Sequence, residues 1–195
     1  YMPKGSLSSF LQGTECPGWS NGRYQIGLDI SYGLVYLHSN NIIHLDLKSG
    51  NVLINAQGRA KLSDFGMSKL KADGGLTYDK TLIGEGNRGG TWRWMAPELF
   101  ETGNKPTKQS DVYGYGMILW ELGTKGAIPF KEIPQAQIPA AKLGGTQEKV
   151  TPDTPLKMAT LIRRCWSQRA GDRPDMEAAK TTLESEAQSY GCKFN

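Results

Sequence analysis

Cysteine is scarce in this chain. Three occur in 195 residues, Cys16, Cys165 and Cys192, odd in number and far apart. That argues against a disulfide framework and a thiolate zinc site, and fits reduced intracellular thiols. Histidine is scarcer, with His38 and His44 alone, which leaves too few ligands for a His-based zinc site. No block of five or more Lys/Arg is present. The net charge of +4 and pI of about 8.9 describe a mildly basic solvated surface and give no reason to expect nucleic acid as a partner. No apolar run approaches membrane length and the mean hydropathy is −0.47, so a soluble, cytoplasmic (intracellular) chain with no membrane partner is expected. The opening residues "YMPKGSLSSF" lack the charged start and apolar stretch of a signal peptide. They also lack an initiating Met, as expected of an incomplete reading frame. Internal repeats and low-complexity tracts are absent too.

What is present suffices for a core. With 38% hydrophobic residues, one domain or two small ones can be built. Ile26, Ile30, Leu34 and Leu37 form a helical stripe over residues 24–38, which "HSNN" ends. "NIIH" and "NVLINA" read as short strands around a polar loop, and "NAQGR" as a turn into a further strand ending at "DFG". Residues 67–94 read as a long polar loop. Residues 110–122, "SDVYGYGMILWEL", are apolar nearly all round and predict a buried central helix with Ser110 as N-cap and Asp111 in its first turn. Residues 125–155 are punctuated by Pro and Gly, with one short helical segment near 134–143. Two helices then close the chain. Ala159, Ile162 and Cys165/Trp166 stripe the first, and Met176, Ala179 and Leu183 the second. The fold expected is mainly α (α+β), helical with a small β-hairpin layer.

The polar loop "HLDLKSGN", residues 44–51, holds the densest chemistry. Asp46 can accept a proton from an incoming hydroxyl. Lys48 is a cation suited to phosphate oxygens. Asn51 offers a hard oxygen ligand suited to Mg²⁺, and Asp64, thirteen residues on, a second one. Taken singly, each of these is an ordinary polar loop residue. Their order with "WMAPE" at 94–98, "SDVYGYGMILWEL" and Asp172-Arg173-Pro174 after "RCW" is hard to obtain by accident.

On these motifs the chain resembles the C-terminal lobe (C-lobe) of a eukaryotic protein kinase. The resemblance implies a catalytic base at Asp46, a phosphate contact at Lys48, and Mg²⁺ ligands at Asn51 and Asp64. It places Met2 at the hinge beside the adenine of ATP and Leu53 beneath the ring. It pairs Glu98 with Arg173 structurally, and gives Asp111 the role of holding the catalytic loop. His44 becomes a core residue, and the tryptophans become packing rather than stacking platforms. The resemblance runs from the hinge to the last helix, so residues 1–195 read as a partial kinase domain with its activation segment at 64–98. "DLKSGN", Thr91 and "DVYGYGMILWEL" look like the tyrosine-kinase-like group, which acts mainly on Ser/Thr. ATP and Mg²⁺ are the implied cofactors and proteins the implied substrates.

Two departures accompany the resemblance. Where the family has His-Arg-Asp, this chain has His44-Leu45-Asp46. The Arg that neutralises a phosphorylated activation segment is replaced by Leu, which puts such control in doubt although Thr77, Tyr78, Thr81 and Thr91 remain as hydroxyls. The Gly-rich strand-turn, strand Lys and helix Glu of an N-terminal lobe (N-lobe) have no counterpart in residues 1–195. "GEGNRG" at 84–89 matches G-x-G-x-x-G but lies between DFG and APE with no strand-turn-helix around it, and Lys61 precedes DFG on its own strand. The N-lobe is thus a required partner, and the isolated chain is expected to be near-inactive. The alternative reading is a pseudokinase-like docking module of kinase descent without phosphotransfer. A helical domain unrelated to kinases is the third.

Overall fold

The computed structural model describes residues 2–14, 16–64, 69–70 and 91–191. Helix α1 (Leu7–Gln12) is capped by Ser6, whose Oγ accepts from Ser9 N–H at 3.3 Å. A five-residue π turn, Trp19–Arg23, leads into α2 (Tyr24–Ser39). The stripe Ile26, Ile30, Leu34 and Leu37 is buried, as its spacing requires. Helix α2 stops at Asn40, with Asn41 left-handed at φ 56°, a conformation Asn tolerates at helix ends. Neither α1 nor the π turn carries a sequence pattern long enough to announce it.

Four short strands follow: β1 (Ile42–Ile43), β2 (Val52–Ile54), β3 (Ala60–Leu62) and β4 (Lys69–Leu70). The strands flanking the polar loop do not pair with each other. β1 pairs antiparallel with β4, and β2 forms a hairpin with β3 in the register Val52↔Leu62, Leu53↔Lys61, Ile54↔Ala60. The hairpin turn is closed by Asn55, whose side chain accepts from Gln57 and Arg59 N–H, with Gly58 at φ 77°. On the other edge of β2, Ile54 N–H donates to Gly5 O at 2.8 Å and Lys4 N–H to Ile54 O at 3.3 Å, so residues 4–6 run along the hairpin. Asp29 of α2 ties the hairpin down by accepting from Arg59 Nε and Nη2 and from Ala60 N–H.

Helix α3 (Lys108–Gly123) is the centre of the fold, and every residue from Ser110 to Gly123 is buried. It begins three residues earlier than the apolar pattern suggests. Thr107 is the N-cap and Ser110 is its N3 partner, accepting from Thr107 N–H at 3.1 Å. Ser110 is therefore not the cap: its hydroxyl works one turn inside the helix. Helices α4 (Ile138–Leu143), α5 (Leu156–Cys165) and α6 (Met176–Ser189) complete the bundle. α5 crosses α3 at Gly116, where a Cβ would lie 2.8 Å from Cys165 Cβ. A Cβ on Gly114 would lie 3.1 Å from Leu47 O, so the polar loop rests directly on the α3 backbone. Cys16 and Cys165 are free thiols, and Cys192 lies outside the described residues. Among the described residues no helix is long and apolar enough to cross a membrane.

Candidate active site

The loop between β1 and the hairpin is shaped by one carboxylate beneath it. Asp111 of α3 accepts from His44 N–H at 2.8 Å, Leu45 N–H at 3.1 Å and His38 Nε2 at 2.9 Å. Leu45 is thereby held left-handed at φ 70°. For a residue with a Cβ that conformation costs about 1–2 kcal/mol. The next residue, Asp46, is buried and meets the Lys48 and Asn51 side chains. His44 is fully buried, and its Nε2 meets Ser63 O at 3.1 Å, which links the loop to the strand leading into Asp64.

Asp46, Lys48, Asn51 and Thr91 form one hydrogen-bonded cluster. Lys48 Nζ donates to Asp46 Oδ2 at 2.8 Å and to Thr91 Oγ1 at 2.9 Å. Asn51 Nδ2 donates to Asp46 Oδ2 and to Asp46 O, both at 2.8 Å. Burial pushes the Asp46 carboxyl up, but the Lys48 ammonium and the Asn51 and Thr91 hydrogen bonds outweigh it and hold Asp46 below its ordinary value. The carboxylate is ionised at neutral pH and can accept a hydrogen bond from a hydroxyl brought to it.

Both side-chain bonds of Asn51 use Nδ2, so among the described residues its Oδ1 has no protein partner. Asp64 is exposed and left-handed at φ 62°. It directly follows Ser63, whose N–H and hydroxyl both donate to Asn51 O, at 2.9 and 3.0 Å. An amide oxygen and a carboxylate on adjoining backbone form a hard donor pair that suits Mg²⁺. Phe65 and Gly66 of "DFG" lie outside the described residues, as do Tyr1, the "GEGNRG" glycines, Thr77, Tyr78 and Thr81. Met2 and Leu53 are half-buried. Met2 O closes a turn onto Gly5 N–H at 3.1 Å, and Ser6 bridges Leu53, so the N-terminal segment runs along β2.

Supports beneath the cluster were only partly expected. Arg173 is fully buried and grips Glu98 through two bonds of 2.8 Å, while also donating to Ser167 O, Gln109 O and Gln168 O. Burial raises the Glu98 carboxyl, but Arg173 more than reverses this. Glu121 was missed. Its carboxylate accepts from Ser49 Oγ at 2.6 Å and Trp94 Nε1 at 2.7 Å, joining the loop to the segment after Thr91. Burial pushes it up to about 7. An acid near the far end of the apolar run, opposite Asp111 at its start, was the available signal, because such a residue is seldom buried without partners. Lys142 was also missed, and its short Pro-containing helix offered no signal.

Residues 1–183 match the family described as protein tyrosine and serine/threonine kinase. The chain belongs to the protein kinase family. This kinase chain is 35% identical over 98% of its length to the Arabidopsis thaliana serine/threonine-protein kinase STY46, covering 32% of that protein. It is 38% identical over 94% of its length to the A. thaliana serine/threonine/tyrosine-protein kinase HT1, covering 45% of it. A probable serine/threonine-protein kinase of Dictyostelium discoideum, pats1, is 36% identical over 94% of the chain and 6% of that protein. The kinase chain thus spans less than half the length of the curated relatives it matches. Its helical bundle with two small antiparallel strand pairs among the described residues is the C-lobe of the family fold, and its kinship is with the serine/threonine-type, tyrosine-kinase-like members.

Proposed function

We propose that residues 1–195 are the hinge and C-lobe of a Ser/Thr protein kinase domain, with the activation segment at 64–98, and that the domain transfers the γ-phosphate of ATP to protein hydroxyls. The observation that carries the reading is the cluster in which Lys48 touches both Asp46 and Thr91 while Asn51 steadies the same carboxylate oxygen. Asp46 accepts the hydroxyl proton of the acceptor residue. Its lowered basicity suits a loose phosphoryl transfer in which orientation counts for more than deprotonation. Lys48 places its charge beside the phosphate being transferred. Asn51 Oδ1 and the Asp64 carboxylate would hold Mg²⁺, which would supply charge neutralisation for the nucleotide phosphates. The Met2 backbone and Leu53 would take the adenine.

The phosphate-covering half of the cleft has no counterpart in these residues, so phosphotransfer by them requires an N-lobe. Alone, the 195 residues bind Mg-ATP weakly and turn over little, because half a cleft neither excludes water nor orients the phosphates. The docking-module reading draws its support from Leu45, which stands where the family has Arg. Leu45 offers a phosphate on the activation segment no cation, which puts control by such a phosphate in doubt.

The deciding experiment joins the chain to its N-lobe and follows transfer from ATP to Ser/Thr peptides. Asp46→Asn is expected to lower kcat by roughly 10²–10⁴-fold and to leave nucleotide binding intact. Unchanged turnover in that variant defeats the base assignment, and a joined domain that transfers nothing favours the docking module.

A further inference from the structure

Lys142 lies in α4 with 1% of its surface exposed, and no carboxylate among the described residues bonds its ammonium. Instead Nζ donates to Arg93 O at 2.8 Å and Met95 O at 2.7 Å. The rings of Tyr113 and Phe130 lie 4.6 and 4.8 Å from it. Phe130 is itself an outlier, left-handed at φ 51°. Three contacts hold it there: its N–H donates to Glu148 Oε1, its carbonyl accepts from Arg93 Nη1 at 2.6 Å, and its ring covers Lys142. Arg93 Nη1 also reaches Pro129 O at 2.5 Å. Arg93 is therefore gripped through its guanidinium by the 129–130 turn and through its carbonyl by α4.

This apparatus acts on the stretch that adjoins the cluster. Thr91 is one hydrogen bond from Lys48, and Lys48 one from Asp46. An extended peptide advances about 3.3 Å per residue, so residues one or two places from an acceptor at Asp46 lie within roughly 7 Å of it. Residues 91–95 begin at Thr91, on the Lys48 side of that acceptor, and so offer a surface for them. We propose that Lys142 is a positioning residue for the protein substrate: its Nζ fixes the two carbonyls that bracket Trp94 and so sets the surface on which the acceptor's flanking residues lie. The proposal rests on the kinase reading above.

The chemistry favours this over simple packing. Burying an ammonium is costly, and an apolar side chain of similar volume often serves stability as well or better. What Lys adds over Met here is the pair of donors. Burial holds the amine well below the ordinary lysine range. A neutral amine still carries two N–H groups for two carbonyls, so the clamp persists in either protonation state.

The test is steady-state kinetics of the domain that carries this chain with its N-lobe. Lys142→Met is expected to raise the peptide KM about tenfold, leaving kcat and the ATP KM within about twofold. Lys142→Gln, which restores two N–H donors at slightly shorter reach, is expected to recover most of the loss. A wild-type peptide KM in Lys142→Met overturns the inference, as does an equal rise in both KM values. If Lys142→Met does not fold, Phe130→Leu decides, with a peptide KM raised about threefold in support and an unchanged one against. Asp46→Asn, run in parallel, separates the two readings. Asp46-dependent transfer with an unmoved peptide KM removes the Lys142 inference alone, whereas transfer indifferent to Asp46 removes the kinase assignment beneath it.

Discussion

Replacing Asp111 with Ala removes the one acceptor shared by His44 N–H, Leu45 N–H and the His38 ring, at 2.8, 3.1 and 2.9 Å. Each buried donor left unpaired costs about 1–3 kcal/mol. Relaxation of Leu45 from φ 70° returns about 1–2 kcal/mol of that sum. The net expectation is a loss of about 4 kcal/mol of unfolding free energy. At about 2–4 °C per kcal/mol for a chain of this size, the midpoint should fall by roughly 8–16 °C. Urea and thermal unfolding of the 195-residue chain, followed by circular dichroism, give the number. The cause is checked by a double-mutant cycle with Leu45→Gly, because glycine adopts the left-handed conformation without a Cβ penalty. If Asp111 is what holds Leu45 strained, the benefit of glycine shrinks once Asp111 is gone, giving a coupling of about 1 kcal/mol. A loss below about 1 kcal/mol in Asp111→Ala, or no coupling in the cycle, refutes the argument that this carboxylate shapes the loop.

Other outcomes follow from the same contacts. Glu121 has a folded value of about 7 against an ordinary 4.5, so the folded state holds its proton longer and stability declines as pH rises from 4.5 towards 7. Glu121→Gln, whose amide can serve both Ser49 and Trp94, should flatten this decline, worth up to ~3 kcal/mol, in urea unfolding at pH 5 and pH 8. An unaltered slope means the titrating group is another. Glu98 behaves oppositely: its value is lowered, so its contribution is complete above its unfolded value and is lost as pH falls through the folded one. Arg173→Met should cost about 3–5 kcal/mol near neutrality and abolish that acid-side loss, as read from unfolding free energies across the acid range. Gly116→Ala forces a Cβ to 2.8 Å from Cys165, and a drop of about 1–3 kcal/mol in unfolding free energy is expected. Phosphatase treatment of the joined domain should leave its rate unchanged, and a fall in peptide phosphorylation would mean another cation has taken the place of the Arg that Leu45 replaces.

How much was legible depended on the range of the interaction involved. The stripe of α2 and the all-apolar α3 were readable because periodicity and composition are local, and both helices lie where those patterns run. The start of α3 was misplaced because its N-cap, Thr107, precedes the run 110–122 that revealed the helix. The strands at 42–43 and 52–54 were readable as strands, but not their partners, since β1 takes residues 69–70 and β2 takes 60–62. Pairing is decided by where the chain returns, not by the strand itself.

The candidate site divides in the same way. By itself the sequence singled out Asp46, Lys48, Asn51, Asp64 and Thr91 as candidates, because motif order within a family restricts residue types at set spacings. It also determined that Leu45 stands where a cation is usual. Tertiary structure decided what those side chains do to one another. Lys48 meets Thr91 across 43 positions, Asp111 reaches back 67 positions to His44, and Glu121 joins Ser49 to Trp94. Lys142 finds its carbonyls 47 and 49 positions earlier. No local pattern encodes such contacts. They form only when the buried helices bring distant segments within hydrogen-bonding distance, where removal from water makes each unpaired donor costly enough to select a single arrangement.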